Sequence, residues 1–388
     1  MRKVALVGAG VSKFGVRKAS FRDLIWEAGK ACFDSVPAVR PKDLQGLVVG
    51  SVMPERTAFQ SHLAPLAAEA LGIRPDRLSA RTEHMCASGT VGIRYAYAFI
   101  AAGLADLVMV LGVEQLNTPA GEEAILNMGT GVDREWEAAY GLTAPPSFAL
   151  AAQAHMARYG TTEEQMALVS VKNHNHAAKN PYAHFQKGAT LEQVLCSRMI
   201  STPFRLFMCS PITDGAAAVI LASEERARDL TDRPVFILGT GQAVDGFTLT
   251  SLHPDYAHWP SLRRAAEHAY GMAGLGPDDV DLAEVHDCFA IAEIIAYEEL
   301  GFCDKGEGGR FVEKGLSDYG GTVVVNPRGG LIGCGHPLGA TGTAQAAEVF
   351  WQLRGEAGPR QVPEAKVGLT HNNSGMGEHV VVLYGTDA

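Results

Sequence analysis

Cys86 is the first residue of the chain whose type and setting indicate chemistry. It lies in the segment EHMCASGTVG, which has the pattern of a turn that enters a helix. Unpaired N–H groups and the positive end of a helix dipole favour a thiolate over a thiol, so this position suits a nucleophile. The alternative is a small buried cysteine that fills a junction between a helix and a strand. A histidine within reach of the thiol would favour the nucleophile.

His336 is the histidine that the sequence offers for this role. It lies in NPRGGLIGCGHPLGATG (326–342), where the glycines permit close approach of a substrate to the backbone. An imidazole here can act as general base for a thiol, and a hydrogen-bonded structural histidine is the alternative. The segment lacks the Gly-Lys-Ser/Thr ending of a nucleotide-binding loop. The early segment Gly8-Ala9-Gly10 lacks the third glycine of a dinucleotide fingerprint, so NAD binding is rejected.

Two further segments bring polar residues to the ends of predicted strands. They are VHDCF (285–289) and THNNSGMG (370–377). Making or breaking a carbon–carbon bond next to a thioester needs an acyl-accepting nucleophile, an acid/base for the α-carbon and donors for the oxyanions. The four segments together offer a candidate for each part. The alternatives are a metal site formed by His286, Cys288 and His371, or side chains that simply pack on separate loops.

The composition is that of a globular protein. Of 388 residues, 47% are hydrophobic and 20% are charged, which excludes a disordered chain with too little apolar surface to fold. The length predicts two or three domain-sized units. The 33 Lys+Arg and 43 Asp+Glu give a net charge of −10, which opposes attraction to nucleic acid or to an anionic membrane surface. We therefore expect neither as a partner.

The seven cysteines predict a reduced, cytoplasmic location. Their odd number argues against a disulfide framework, and no C-x-x-C pair supports a zinc ribbon or a thioredoxin-type motif. The N-terminal MRKVALVGAG is interpreted as a first strand, because its apolar run is short for a secretory signal and lacks a convincing cleavage site. The longest apolar stretch, 95–113, is interrupted by Gly103 and Asp106. It is therefore expected to divide into a helix and a strand.

The elements that must position these residues alternate between strands and helices. VALVGAG, LQGLVVGSV and AAAVILAS have strand patterns, whereas FRDLIWEAGKACF, SHLAPLAAEALG and the segment after Cys86 have helix patterns. This alternation predicts an α/β fold with a parallel-rich sheet covered by helices. The charged linker SEERARDLTDRP (223–234) predicts a boundary that divides the chain into residues 1–227 and 228–388.

Three pairs of segments indicate an internal duplication. KVALVGAG resembles PVFILGTG, and DLQGLVVGS resembles DVDLAEVHD. Cys86-x-x-Gly89-x-x-Gly92 resembles His336-x-x-Gly339-x-x-Gly342 at an offset of about 250 residues. In a duplicated α/β protein, equivalent helix starts can face one another, which would bring Cys86 and His336 to one site. Residues from about 115 to 210 exceed the repeat and are interpreted as an inserted region that covers the substrate.

The whole chain resembles the thiolase family, and most closely its sterol-carrier-protein-type and archaeal-type branch. The similarity lies in HMCASG, RYGTTEEQMALVSVKNHNHAAKNPYAHFQ, CSPITDGAAAVILAS, HDCF and GGLIGCGHPLGATG. It implies a five-layered αβαβα fold of two duplicated halves, with a loop region over the coenzyme A site. It also implies homodimers or homotetramers and, as with archaeal-type thiolases, a small zinc-ribbon and oligonucleotide-fold partner.

The resemblance assigns roles to individual residues. Cys86 matches the acyl-accepting cysteine, His336 the histidine that activates it, and His286 an asparagine that helps to hold an oxyanion. The usual second cysteine near the C-terminus is missing. Aligning the Gly-Met-Gly places His371 at that position and Asn373 at the first glycine. The acid/base role is therefore transferred to Cys288 of HDCF, and backbone N–H groups of Cys86 and Asn373 are expected to form a second oxyanion hole.

The resemblance thus implies an acyl-CoA C-acyltransferase of lipid or fatty acid metabolism. Coenzyme A would be a substrate, and no metal or permanently bound cofactor is expected. One alternative is a condensing enzyme of the ketoacyl synthase or hydroxymethylglutaryl-CoA synthase type on the same scaffold. The other is a catalytically silent lipid carrier or scaffold. The residues that bind coenzyme A, the acyl chain length and the direction of the reaction are not assigned.

Overall fold

The strands and helices follow the alternation that the sequence predicts. The structure, a computed structural model, describes residues 2–117, 121–252 and 255–387. Its strands are β1 (Val4–Val11), β2 (Gly46–Gly50), β3 (Leu78–Thr82), β4 (Leu107–Glu114), β5 (Met199–Ser201), β6 (Phe204–Arg205), β7 (Gly215–Ser223), β8 (Val235–Val244), β9 (Leu282–Glu284), β10 (Val324–Val325), β11 (Val367–Ser374) and β12 (Glu378–Gly385). Its helices are α1 (Phe21–Ser35), α2 (Pro54–Thr57), α3 (Leu63–Leu71), α4 (Ser88–Ala101), α5 (Gly121–Met128), α6 (Ala144–Tyr159), α7 (Glu163–Ala177), α8 (Leu191–Leu195), α9 (Glu224–Leu230), α10 (Leu249–Leu252), α11 (Pro260–Ala273), α12 (Ala290–Glu299), α13 (Gly308–Glu313), α14 (Gly330–Cys334) and α15 (Leu338–Leu353).

The sheet repeats its own topology. In the described part of the chain, ten strands form one mixed sheet in the order β10-β9-β11-β12-β8-β1-β7-β4-β2-β3. Outward from the central pair β1 and β8, each side has two antiparallel pairings followed by two parallel ones. We call β1, β7, β4, β2 and β3 the first repeat, and β8, β12, β11, β9 and β10 the second repeat. Two of the predicted similar segments lie in equivalent strands of the two repeats. One is shared by β1 and β8, and the other by β2 and β9.

Helices lie on both sides of each repeat. α1 and α3 pack on the outer face of the first repeat, and α11 packs on the outer face of the second. α4 and α15 lie between the two repeats and contact strands of both. This is the five-layered αβαβα arrangement that the sequence predicts. The chain passes from one repeat to the other between Ser223 and Val235, and the exact boundary at 227/228 stays a prediction.

The two central helices approach each other closely at their first turns. A Cβ on Gly89 would lie 2.9 Å from the carbonyl oxygen of Gly339, and one on Gly342 would lie 2.0 Å from Thr90 Oγ1. Larger residues at these positions would push the helices apart. The paired glycines of the Cys86 and His336 segments therefore bring the two helix starts together.

The first repeat carries a long insertion. Between β4 and β7 the chain spans residues 115–214, whereas the equivalent connection between β11 and β12 is only 375–377. The insertion contains α5 to α8 and the small hairpin of β5 and β6. It matches the inserted region expected from about 115 to 210, of which 118–120 lie outside the described residues.

The apolar stretch 95–113 divides as the sequence predicts. α4 ends at Ala101 and β4 begins at Leu107, so this stretch forms part of a helix and then a fully buried strand. In the described residues, no helix combines the length and the apolar character needed to cross a membrane.

Candidate active site

Cys86 lies in a tight turn immediately before α4. The preceding residue, Met85, has φ of +42°, a conformation that costs energy for any residue other than glycine. Two short-range bonds close the turn, since the backbone N–H of Ala87 donates to His84 and that of Ser88 donates to Met85. This strained turn presents the thiol to a cavity at the start of the helix.

His336 contacts this thiol from the other repeat. Its Nε2 lies 3.2 Å from Cys86 Sγ, and its Nδ1 lies 2.7 Å from Thr341 Oγ1. The Thr341 hydroxyl donates to the carbonyl of Pro337 at 3.1 Å, so it accepts the Nδ1–H of the histidine. This hydrogen-bond pattern assigns the proton to Nδ1 and leaves the Nε2 lone pair facing the thiol. The geometry is that of a general base beside its nucleophile.

Burial keeps both groups neutral. Burial raises the pKa of Cys86 to about 12, with smaller effects from Glu114 and Glu83. Burial, followed by the charge of Arg328, lowers the pKa of His336 to about 3. Desolvation outweighs the effect of the helix start, so the thiolate predicted for Cys86 forms only together with protonation of His336. The thiol must transfer its proton to His336 as it attacks.

His286 lies against His336 and points an unpaired N–H into the same site. The two rings meet edge to face with centroids 5.0 Å apart. Asn372 Nδ2 donates to His286 Nδ1 at 3.2 Å, so the proton of His286 is on Nε2, which is buried without a partner. One ligand atom each from Cys86, His286 and His336 lie within 4.8 Å of one another. An unpaired buried donor at this position suits an oxygen that gains negative charge.

Asn372, which the sequence analysis did not select, fixes the tautomer of His286. Its Oδ1 accepts the hydroxyl of Thr90 at 2.6 Å, and its Nδ2 also donates to Gln345 Oε1 at 2.5 Å. The Gln345 amide donates in turn to the carbonyl of Val285 at 3.3 Å, which fixes its own orientation. The amide of Asn372 therefore cannot flip without losing these bonds. Its place beside His371 in the THNN segment was the available signal.

The alternative metal site does not assemble as the sequence suggested. His371 Nε2 is bonded to His379 Nδ1 at 3.0 Å, away from His286 and Cys288. The cluster that does form consists of Cys86, His286 and His336. The bond from Asn372 places a proton on the nitrogen of His286 that would have to bind the ion, and a metal ligand needs a free lone pair. This arrangement fits a hydrogen-bond donor better than a metal ligand.

Cys288 lines the same cavity as Cys86. It follows β9, and its carbonyl accepts the backbone N–H of Ser210 at 2.9 Å. Burial, followed by the neighbouring Cys86 and Asp287, raises the pKa of the Cys288 thiol well above its usual value. It is therefore a neutral thiol, able to give a proton to a strong base such as an enolate.

The cavity is apolar and has a volume of about 460 Å³. Much of its wall comes from the insertion, as the sequence predicts for the acyl pocket. The apolar wall residues of the insertion include Met128, Leu142, Pro145, Phe148, Ile200 and Leu206. The second repeat adds Phe247, Leu249 and Leu252, which the sequence analysis did not assign. An apolar chamber that ends at two thiols and an imidazole can hold an acyl chain beside a reactive centre.

Comparison with known proteins identifies this arrangement. Residues 4–190 match the family described as thiolase, N-terminal domain, and residues 241–386 match the one described as thiolase C-terminal domain-like. The chain belongs to the thiolase family. It is 46% identical over 383 residues to an acetyl-CoA acetyltransferase of Methanothermobacter thermautotrophicus, with 97% of each chain covered.

Two further proteins place this thiolase among its relatives. It is 38% identical to sterol carrier protein 2 of Bos taurus, covering 98% of the chain and 72% of the relative. A solved structure entitled Ltp2-ChsH2(DUF35) aldolase superposes with a TM-score of 0.85 at 26% identity, covering 99% of this chain and 98% of that one. The predicted resemblance to archaeal and sterol-carrier-protein thiolases is thus confirmed.

The structure corrects the placement of His371 in this thiolase. β11 runs toward the site, and only its last residues, Asn373 and Ser374, line the cavity. His371 lies two residues earlier, about 7 Å back along the strand. Of these two candidate residues, Asn373 therefore reaches the cavity and His371 does not. Both polar atoms of the Asn373 side chain are buried without a hydrogen-bond partner.

A charged contact joins the cysteine turn to the second repeat. His84 Nε2 lies 3.2 Å from Glu378 Oε1, and Gln242 Nε2 donates to the same oxygen at 2.7 Å. The hydrogen bond to Glu378 raises the pKa of His84, and burial opposes this. Ser374 also donates its hydroxyl to the carbonyl of His84. These bonds connect the turn before Cys86 to the first residue of β12 and the last residue of β11.

Replacing His84 with glutamine should destabilise the protein in a pH-dependent way. A histidine with a raised folded pKa contributes stability that is complete below its unfolded pKa, about 6.5, and is lost as the pH rises through the folded pKa. We expect the variant to lower the free energy of unfolding by about 0.5–1 kcal/mol at pH 6, and by less than half of that at pH 9. Urea titrations at both pH values measure this. The exposed His268→Gln serves as control, and an equal loss at both pH values would contradict the ion pair.

Proposed function

We propose that this thiolase is an acyl-CoA C-acyltransferase that works through an acyl-Cys86 intermediate. It cleaves 3-oxoacyl-CoA with coenzyme A, or condenses two acyl-CoA molecules in the reverse direction. The observation that carries the proposal is the 3.2 Å contact between Cys86 Sγ and the unprotonated Nε2 of His336, at the end of an apolar cavity. The name of the archaeal relative, acetyl-CoA acetyltransferase, supports the same activity.

The first step forms the acyl-enzyme. His336 Nε2 takes the thiol proton as Cys86 Sγ attacks the 3-keto carbon, and the carbonyl oxygen gains negative charge. The Nε2–H groups of His286 and of the newly protonated His336 stabilise this oxygen. The intermediate collapses by breaking the bond between the keto carbon and the α-carbon. The acyl group stays on Cys86, and the electron pair leaves as the enolate of the shortened acyl-CoA.

The second step disposes of the enolate. Cys288 Sγ gives its proton to the α-carbon, which releases the shortened acyl-CoA. Backbone N–H groups of Cys86 and Asn373 hold the enolate oxygen in this scheme. The thiolate of coenzyme A then attacks acyl-Cys86, and Cys288 recovers its proton from the solvent. The acyl group leaves as a new acyl-CoA, and the Cys86 thiolate recovers the proton held by His336.

The chemistry needs only these side chains and the two thioester substrates. Every bond change is a proton transfer, an acyl transfer or a carbon–carbon cleavage, so electrons balance without a redox cofactor. We propose that coenzyme A acts as substrate and that no metal or other cofactor is bound permanently. The tautomer of His286 supports the second point.

We also propose that this thiolase acts in the cytoplasm, in lipid or fatty acid metabolism, as a homodimer or homotetramer. The solved neighbour whose title pairs Ltp2 with ChsH2(DUF35) supports a further small partner, expected to contain a zinc ribbon and an oligonucleotide fold. Light scattering on protein purified from its own cells tests both assemblies. A monomer mass would contradict the oligomer, and a homogeneous preparation without a second chain would contradict the partner.

Acetoacetyl-CoA supplied without free coenzyme A should leave an acetyl group on Cys86. We expect the intact mass of the wild type to rise by about 42 Da, because no thiol is present to discharge the acyl-enzyme. Cys86→Ala should gain nothing. Adding coenzyme A should restore the original mass and release acetyl-CoA.

The same experiment separates the alternatives. Cleavage of the substrate without a Cys86 adduct, with wild type and Cys86→Ala equally active, would indicate that water, and not Cys86, attacks the keto carbon. An adduct that coenzyme A does not discharge, but that condenses with a second acyl substrate, would indicate a condensing enzyme. No reaction across a series of 3-oxoacyl-CoAs of increasing length would indicate a silent carrier or scaffold.

Cys288→Ala should separate carbon–carbon chemistry from acyl transfer. We expect cleavage of 3-oxoacyl-CoA to fall by about 10²- to 10⁴-fold, which is the usual worth of a general acid/base. Acetylation of Cys86 by acetyl-CoA needs no proton at the α-carbon and should stay within about threefold of the wild type. Stopped-flow cleavage and mass-resolved acetylation measure the two rates. Cys303→Ala is the control, and a variant that kept full cleavage would remove Cys288 from the mechanism.

A further inference from the structure

His336 lies in a short turn between two helices, neither of which contributes a residue to the cavity wall. α14 ends at Cys334 and α15 begins at Leu338, so the backbone of Gly335, His336 and Pro337 is fixed by these two helices. The direction of the His336 ring depends on how each helix is held. Two buried carboxylates, neither of which the proposed chemical steps use, bind the starts of these helices.

Asp287 binds the start of α14. Its Oδ1 accepts the backbone N–H of Leu331 at 2.6 Å, and its Oδ2 accepts that of Ile332 at 3.2 Å. Asn173 donates to Oδ2 at 2.7 Å from the inserted region. Since Asp287 lies between His286 and Cys288 in the chain, these bonds join the HDCF segment to the segment that ends at His336.

Glu114 binds the start of α15. Its Oε2 accepts the backbone N–H of Gly339 at 3.0 Å and that of Val52 at 2.8 Å. Its Oε1 accepts from Met53 N–H and the Ser51 hydroxyl, both at 3.3 Å. Glu114 is the last residue of β4 in the first repeat, so these bonds fix α15 to the repeat that carries Cys86.

The glycines beside these carboxylates cannot be replaced by larger residues without a clash. A Cβ on Gly330 would lie 2.3 Å from Asp287 Oδ2, and one on Gly339 would lie 2.9 Å from Glu114 Oε2. Both carboxylates are fully buried, and burial raises the pKa of both. Burying a carboxylate lowers the free energy of unfolding unless its oxygens are hydrogen-bonded. Two such carboxylates lie next to the turn that contains His336.

We propose that Asp287 and Glu114 are positioning residues that hold His336 Nε2 at hydrogen-bond distance from Cys86, one through α14 and the other through α15. They act through the backbone, because their oxygens are bonded to N–H groups, the Asn173 amide and a hydroxyl and do not touch either ring. The catalytic part of this inference rests on the proposed function. The contact between Cys86 and His336 can be tested without it.

The test is a set of double-mutant cycles with Asp287→Asn, Glu114→Gln and His336→Ala. We expect each amide variant to lower kcat for acetoacetyl-CoA cleavage by about 10- to 100-fold, with KM within about threefold, because an amide places a donor against a backbone N–H and displaces the turn. In the His336→Ala background, each amide substitution should change kcat by less than about twofold. Losses that add in full to that of His336→Ala would overturn the proposal.

Alkylation of Cys86 by iodoacetamide gives a readout that does not depend on the natural substrate. The rate reports how well His336 takes the thiol proton, so Asp287→Asn and Glu114→Gln should slow it toward the rate of His336→Ala. If no 3-oxoacyl-CoA reacts, the proposed function fails while this measurement still decides the positioning role. Unchanged alkylation in both variants would overturn it.

Two further variants control for folding and for charge. Asp281→Asn removes a carboxylate that also accepts two backbone N–H groups, from Lys366 and Val367, far from the site. It should leave kcat and alkylation unchanged. Glu114→Asp keeps the charge but withdraws the oxygens from Gly339. A positioning role predicts a loss close to that of Glu114→Gln, whereas full activity in Glu114→Asp would show that only charge matters.

Discussion

The structure depends on one contact between two parts of the chain that lie 250 residues apart. Cys86 Sγ and His336 Nε2 are in contact because α4 and α15, which belong to different repeats, begin next to each other between the strands of the two repeats. That meeting is possible only because glycines replace side chains where the helices cross. A single added methyl group at Gly89 or Gly342 would clash with the facing helix. The repeated glycine spacing is therefore a packing requirement with a catalytic consequence.

The Cys86–His336 pair is neutral because both groups are buried. Burial keeps the proton on Cys86 and off His336, although the two groups are in hydrogen-bond contact. The tautomers of both histidines are fixed by hydrogen bonds from outside the cavity, through Thr341 for His336 and through Asn372 for His286. Both rings are thus oriented beforehand, with the Nε2–H of His286 already in place and the Nε2 of His336 ready to accept the thiol proton, so little reorganisation accompanies the proposed reaction. Each polar group in a buried network needs a hydrogen-bond partner. The network of hydrogen bonds around the two histidines therefore includes residues of both repeats.

Residue patterns predicted the fold and the central pair because both leave local signals. The strand segments of β1 and β8 resemble each other, and the segments that begin at Cys86 and His336 share one glycine spacing. The sequence did not indicate how far burial raises the pKa of Cys86, because desolvation depends on the whole enclosure and not on the helix start alone. That Asn373 and not His371 lines the cavity could not be predicted, because the glycines do not fix how far β11 reaches toward the site. Asp287 and Glu114 leave no local signal, since their partners are backbone N–H groups of distant segments.

The two repeats and the insertion contribute different parts of the site. The repeats supply Cys86, His336, His286 and Cys288 from the ends of strands and the starts of helices, where packing fixes each position. The insertion supplies much of the apolar wall from short helices and loops, which can change in sequence without moving the strand ends. Asn173, whose amide binds the carboxylate of Asp287, is a point where the insertion reaches into the catalytic framework. Changes in acyl specificity are therefore expected to follow changes in the wall residues, whereas changes at Asn173 would affect the reaction itself.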